Sequence, residues 1–131
     1  MERLDQGFIL VVDDVAFMRR LLGGIIKSLG HDVLEVENGE DAIKLIGQDV
    51  PKLIFLDLMM PTISGFDVCS WVRKNDATKN VPIIVCTANQ ERKTLEQAIR
   101  AGATDILCKP VTRDNVQKRL SRHLKAPIVQ S

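Results

Sequence analysis

The chain has 131 residues, of which 18 are Lys or Arg and 17 are Asp or Glu, giving a formal net charge of +1. That length suits one domain burying roughly two thirds of its unfolded surface, and the balanced charge excludes a global field steering the protein to nucleic acid or an anionic membrane. No apolar run approaches the ~18 residues a bilayer span requires. The opening MERLDQGFILVVDD meets acids where a signal peptide would need its cleavage site, so a cytoplasmic protein without membrane or nucleic-acid contact is expected.

The first element is the apolar run FILVV at residues 8 to 12, a buried strand that closes in Asp13-Asp14. A helix is expected over Val15 to Leu29, because Met18, Leu21, Leu22, Ile25, Ile26 and Leu29 recur at helical spacing. Asp14 is its expected N-cap and Gly30 its exit, and Gly23-Gly24 within it imply that something packs closely there. A short strand over Asp32 to Val36 follows. Asn38-Gly39 then turns into a helix carrying Ala42, Ile43, Leu45 and Ile46, which Pro51 stops.

The apolar residues Leu53 to Leu56 are too few for a buried helix and suit a strand covered on both faces, with Asp57 at its end. Met60-Pro61-Thr62-Ile63-Ser64-Gly65 turns the chain away into a helix over Phe66 to Asn75, with Phe66, Cys69 and either Trp71 or Val72 inward. Pro82 to Cys86 reads as a fourth strand ending in Thr87. Gln90 to Ala101 reads as a polar helix with a narrow stripe of Leu95, Ala98 and Ile99. Thr104 to Cys108 is the fifth strand, followed by Lys109-Pro110. Thr112 opens a last helix with Val116, Leu120 and Leu124 inward and Arg113, Lys118, Arg119, Arg122 and Lys125 outward. The segment APIVQS shows no periodicity. Cys69, Cys86 and Cys108 are odd in number and lack metal-ligand spacing, which favours buried reduced thiols.

Strands alternating with helices at these spacings argue an α/β fold, a parallel sheet with helices on both faces. In such a sheet the strand ends share one edge, where ligands bind. That edge collects Asp13, Asp14, Asp57, Thr87 and Lys109. Three carboxylates on one rim repel one another, and a hard cation relieves them; Mg²⁺ fits best because it needs few protein oxygens. Asp57 would then be a nucleophile toward phosphorus, with the Lys109 ammonium and the Thr87 hydroxyl facing the oxygens of the transferring group.

These residues resemble the receiver domain of two-component response regulators. The acid pair Asp13-Asp14, the frame from Asp57 through Pro61 to Gly65, Thr87-Ala88 and Lys109-Pro110 match that family in order and spacing. The resemblance implies a domain over 7–124 between short tails 1–6 and 125–131, and a flavodoxin-like, doubly wound sheet of five strands in order 2-1-3-4-5 with five helices. It implies that Asp57 accepts phosphate from a histidine kinase or histidine phosphotransfer protein, so that the protein is a signalling phosphoacceptor rather than an enzyme. It further implies that Asp14, Asp57 and the backbone carbonyl of Met59 ligate Mg²⁺, that Asp13 acts through water, and that the peptide before Pro110 is cis.

In receivers the threonine is drawn toward the phosphate while an aromatic residue three positions before the lysine swings inward. Here that position is Ile106, whose branched side chain does not offer the same change of surface. Met59 cannot hydrogen-bond an attacking water and Asn89 is neutral, so slow self-dephosphorylation is expected. An aspartate-nucleophile phosphatase would need an acid where Met59 stands, and a flavin-phosphate binder would need a phosphate loop where Asp13-Asp14 stand. A non-phosphorylated pseudo-receiver conflicts with the intact acid set. The readout is expected to be a protein contact, with a downstream target, an output domain or a second copy, over the face of the fourth helix, fifth strand and fifth helix.

Overall fold

The computed structural model describes residues 7–124. The two short tails, with Lys125 and the APIVQS segment, lie outside the described residues. Five strands, β1 (Ile9–Val12), β2 (Val33–Val36), β3 (Leu53–Asp57), β4 (Ile83–Thr87) and β5 (Asp105–Cys108), alternate with five helices. The helices are α1 (Ala16–Ser28), α2 (Gly39–Gln48), α3 (Gly65–Lys74), α4 (Arg92–Ala101) and α5 (Arg113–His123). The strands form one parallel sheet in order β2-β1-β3-β4-β5, the flavodoxin-like doubly wound arrangement.

The sheet is covered on both faces because its three central strands are apolar up to the terminal Asp57 and Thr87 and buried at every position, so each pleat buries its side chains. Ile9, Val11, Leu53, Phe55, Ile84, Cys86 and Leu107 pack against Leu22 and Ile26 of α1 and Val116 and Leu120 of α5. The alternate residues Leu10, Val12, Ile54, Leu56, Ile83 and Val85 pack against Ala42 and Ile46 of α2, Val68, Cys69 and Val72 of α3, and Ala98 of α4. Fully burying one such Leu, Ile or Phe contributes about 1.5–3 kcal/mol. The edge strands β2 and β5 remain partly exposed. All three cysteines are free; Cys69 and Cys86 are buried and Cys108 is partly exposed. No described helix is long and apolar enough to cross a membrane.

Local chemistry departs from the sequence expectation at four places. Asp14 does not cap α1: the N-cap position is Val15, whose amide is instead held by Asp13 Oδ1 at 2.9 Å. The helix starts one residue later than expected, which puts Asp13 rather than Asp14 in reach of that amide. In α3, Val68 and Val72 are buried while Phe66 and Trp71 are partly exposed. In α4, Ile99 is 51 % exposed and only Ala98 is buried. In α5, Arg119 turns inward: its guanidinium donates to the Ile106 carbonyl at 2.9 Å and pairs with Asp105 at 3.4 Å. Arg122 and His123 also reach Asp105, at 2.8 and 2.7 Å, so much of the basic face of α5 is satisfied within the molecule.

Candidate functional site

The register of the sheet builds the site. Asp57 pairs in register with Cys86, and Thr87 with Cys108, so the C-terminal ends of β1, β3, β4 and β5 meet at one edge. Asp57 ends its strand 6 % exposed, and Asp13, just past β1, is 3 % exposed. Asp14 beside it is exposed to solvent. One carboxylate oxygen from each of Asp13, Asp14 and Asp57 can be chosen so that all lie within 4.8 Å of one another. Opposite them, Lys109 Nζ lies 3.1 Å from Asp13 Oδ2 and 3.6 Å from Asp57 Oδ1. The Lys109–Pro110 peptide is cis, and Lys109 N–H bonds the Thr87 carbonyl at 2.9 Å.

The segment after Asp57 is held by its own backbone. The Met59 amide donates to Asp57 Oδ1 at 3.4 Å, and the Gly65 amide to the Leu58 carbonyl at 2.9 Å. Gly65 lies so close to Asp57 that a β-carbon there would collide with the Asp57 carbonyl and the Leu58 backbone. Ser64 then starts α3 with a capping box, its hydroxyl accepting from the Asp67 amide while Asp67 accepts from the Ser64 amide. Thr62 in the same loop sits at φ 68, a left-handed conformation that β-branched residues rarely adopt.

Burial is the main reason the Asp57 carboxyl is pushed up to about 6; Lys109 and the Met59 amide pull it down, while Asp13 and the hydrogen-bonding approach of Asp14 add to the rise. Lys109 is also raised: burial lowers it, but its bond to Asp13 and the charge of Asp57 hold it above the usual lysine range. Among the described residues, one ammonium therefore stands against three acids. A donor set of carboxylates alone, crowded and under-neutralised, fits a hard divalent cation such as Mg²⁺.

Four of the five side chains expected at this edge thus form one cluster: Asp13, Asp14, Asp57 and Lys109. Thr87 is buried on the same edge one residue further along, and its hydroxyl accepts from the Asn89 amide at 3.0 Å rather than bonding Asp57. Met59 is 65 % exposed, and Ile106 lines a shallow surface cleft with Leu95 and Ile99. Sequence reasoning missed Arg19, whose guanidinium donates to the Asp13 carbonyl at 2.8 Å. The only signal was the first of two consecutive arginines on α1, six positions beyond the acid.

Comparison with known proteins fits this geometry. The family model of the response regulator receiver domain matches residues 9–121. The chain is 36% identical over 115 residues to the chemotaxis protein CheY of Thermotoga maritima, covering 87% of this chain and 94% of that protein. It is 35% identical over 117 residues to the probable transcriptional regulator ycf27 of Porphyridium aerugineum, covering 89% of this chain but 48% of the relative, so it spans about half the length of that regulator. Among solved structures, the receiver domain of the sensor histidine kinase PA1611 from Pseudomonas aeruginosa superposes with a TM-score of 0.85 at 28% identity, over 92% of this chain and 98% of that one. That structure has a magnesium ion coordinated in its active site cleft.

Proposed function

Because this chain belongs to the response regulator receiver domains of two-component systems, we propose that residues 7–124 form a phosphoacceptor. It takes a phosphoryl group on Asp57 from a histidine kinase or a histidine phosphotransfer protein and signals through a changed protein-contact surface. The observation that carries this reading is the meeting of Asp13, Asp14 and Lys109 around the one buried carboxylate that ends β3. A strand-end aspartate alone is common; a buried one facing two further acids and an inward lysine is not explained by packing.

In the proposed step an Asp57 oxygen forms a bond to phosphorus while the P–N bond of a phosphohistidine breaks, and the departing imidazole keeps the electron pair and takes up a proton. Lys109, already 3.6 Å from Asp57, offers its ammonium to the oxygens of the transferring group. The Thr87 hydroxyl would exchange its bond to Asn89 for one to the phosphoryl group. Asp14, Asp57 and the backbone carbonyl of Met59 would hold Mg²⁺, and Asp13 would reach it through water, because its two oxygens already accept from Val15 and Lys109. Once bound, the cation adds positive charge against the phosphoryl oxygens. The chain acts in this reading as a signalling module, not an enzyme with a turnover substrate. The phosphatase alternative lacks its acid, since the exposed Met59 stands in that place.

The readout is assigned to the face of α4, β5 and α5, which borders Thr87 and Lys109 and includes the cleft at Ile106. Its occupant is a downstream protein target, an output domain or a second copy. Incubation with acetyl phosphate and Mg²⁺, followed by intact-mass measurement, should add one phosphoryl group to the wild type and none to Asp57→Ala. Equal labelling of the two proteins would remove the proposal.

A further inference from the structure

Glu35 stands on the α1-facing side of β2, in register with Val11, where Ile9, Val11 and Val33 are apolar. A carboxylate there requires a partner. It has one: Arg19 of α1 pairs with it at 3.8 Å, with side chains 13% and 24% exposed. The glycine at position 23 leaves room for this placement, since a β-carbon on Gly23 would run into the Glu35 carboxylate and force it to shift, whereas one on Gly24 would meet nothing. The other end of Arg19 donates to the Asp13 carbonyl at 2.8 Å, while the Asp13 amide bonds the Val36 carbonyl at 3.2 Å. Asp13 is therefore tied to β2 twice, directly through its amide and indirectly through Arg19 and Glu35.

From this chain of contacts we infer that Arg19, held by Glu35 in the space left by Gly23, is a positioning residue that sets the Asp13-Asp14 pair for cation binding at Asp57. The inference rests on the reading of that acid cluster as a Mg²⁺ site. Arg19 touches neither the cation nor the phosphoryl group; it acts through the Asp13 peptide, from which the chain continues straight into Asp14. Partners that orient metal ligands typically change affinity about 10-fold to 100-fold when removed.

The sign of the effect separates positioning from plain electrostatics. Removing a positive charge near three carboxylates should by itself tighten binding of a dication, whereas losing the brace should weaken it. Arg19→Lys keeps the charge but cannot reach both acceptors, Arg19→Gln removes both, and Gly23→Ala displaces Glu35 without altering any charge. Mg²⁺ titration by calorimetry on the folded proteins is expected to show binding about 10-fold weaker in all three variants. Arg20→Gln, which removes an exposed neighbouring charge, should not weaken it. The phosphorylation rate by acetyl phosphate at saturating Mg²⁺ should stay close to wild type in Arg19→Lys, as expected of a brace acting on affinity alone.

Should one variant fail to fold by circular dichroism, the remaining two decide. Affinity unchanged or tighter in the folded variants overturns the inference while leaving the metal site intact. If instead wild type and Asp57→Ala give the same titration, the cluster is no Mg²⁺ site, and both the functional reading and this inference fall.

Discussion

The Lys109 ammonium reaches Asp57 Oδ1 at 3.6 Å from the end of a strand two places away in the sheet, and among the described residues it is the cation that pairs with the buried carboxylates. Its side chain is only 16% exposed, so the attraction is weakly screened. If the ammonium neutralises the transferring group, Lys109→Ala should slow acetyl-phosphate labelling about 100-fold at saturating Mg²⁺, the usual effect of losing one preorganised donor. Mass-spectrometric time courses measure this. A slowing of less than about threefold would leave Lys109 only the structural task of neutralising Asp13.

The raised Asp57 carboxyl makes a pH prediction for the metal-free protein. Burial keeps its folded value at about 6 against an ordinary 3.8, so the folded state binds more protons than the unfolded chain between these values. Stability must then fall as pH rises through that window, from about pH 4 to about pH 6, and the loss persists above it. Asp57→Asn removes the penalty. In EDTA the variant should melt about 4 °C higher than wild type near neutral pH, allowing for partial solvent screening. Near pH 4 the two should melt together. A gain of equal size at both ends would point to a cause other than ionisation.

Magnesium should reverse that penalty by binding the ionised cluster in the folded state far better than in the unfolded chain. At a ligand concentration 100 times its dissociation constant this contributes about 2.7 kcal/mol. Millimolar Mg²⁺ is therefore expected to raise the melting temperature of the wild type near neutral pH, and Asp57→Ala to abolish most of the rise. Differential scanning calorimetry with and without EDTA makes the comparison, and an undiminished rise in Asp57→Ala would place the cation elsewhere.

Much of the architecture is written in short apolar runs. β1, β3 and β4 are buried at every position, and such runs ending in Asp13, Asp57 and Thr87 mark both the strands and the edge where their ends collect. Strand order is not present in periodicity; it came from the family resemblance. Capping was misread at α1 because Asp13 and Asp14 have identical chemistry, and only the backbone path decides which reaches the first free amide. Long cations were the other blind spot. Arg19 and Arg119 occupy helix positions that read as solvent-facing, but their stems lie along the protein and carry the guanidinium to partly buried carbonyls. Arg73 does the same at the far end of the sheet, donating to the carbonyls of Val81 and Gly102 at 2.7 and 2.9 Å. Hydropathy patterns report where a side chain starts, not where its charge ends.

Thr62 gives a prediction about the loop that frames Asp57. At φ 68 a β-branched side chain crowds its own backbone, a strain on the order of 1–2 kcal/mol. Asparagine tolerates this region, and unlike glycine it adds little freedom to the unfolded chain. Thr62→Asn should therefore stabilise the protein by about 1 kcal/mol in urea unfolding, with an unchanged denaturant slope. A loss of stability would mean that the threonine hydroxyl or methyl makes a contact that outweighs the strain.

If Asp57 carries a phosphoryl group as proposed, its lifetime is predicted to turn on Met59. Its amide is engaged with Asp57 at 3.4 Å, but its side chain is 65% exposed and carries no group able to orient water for attack on an aspartyl phosphate. Asn89, at the other flank, is neutral and cannot serve as a base, and its amide N–H is bonded to Thr87. The wild-type phosphate should decay slowly for this reason. Met59→Asn places a donor and an acceptor beside the phosphoryl group without disturbing the backbone bond to Asp57, and should accelerate decay roughly 10-fold by positioning the attacking water. After removal of excess acetyl phosphate, the decline of the phosphorylated mass peak gives the rate directly. An unchanged decay rate would show that access of water, rather than its orientation, limits hydrolysis in this protein.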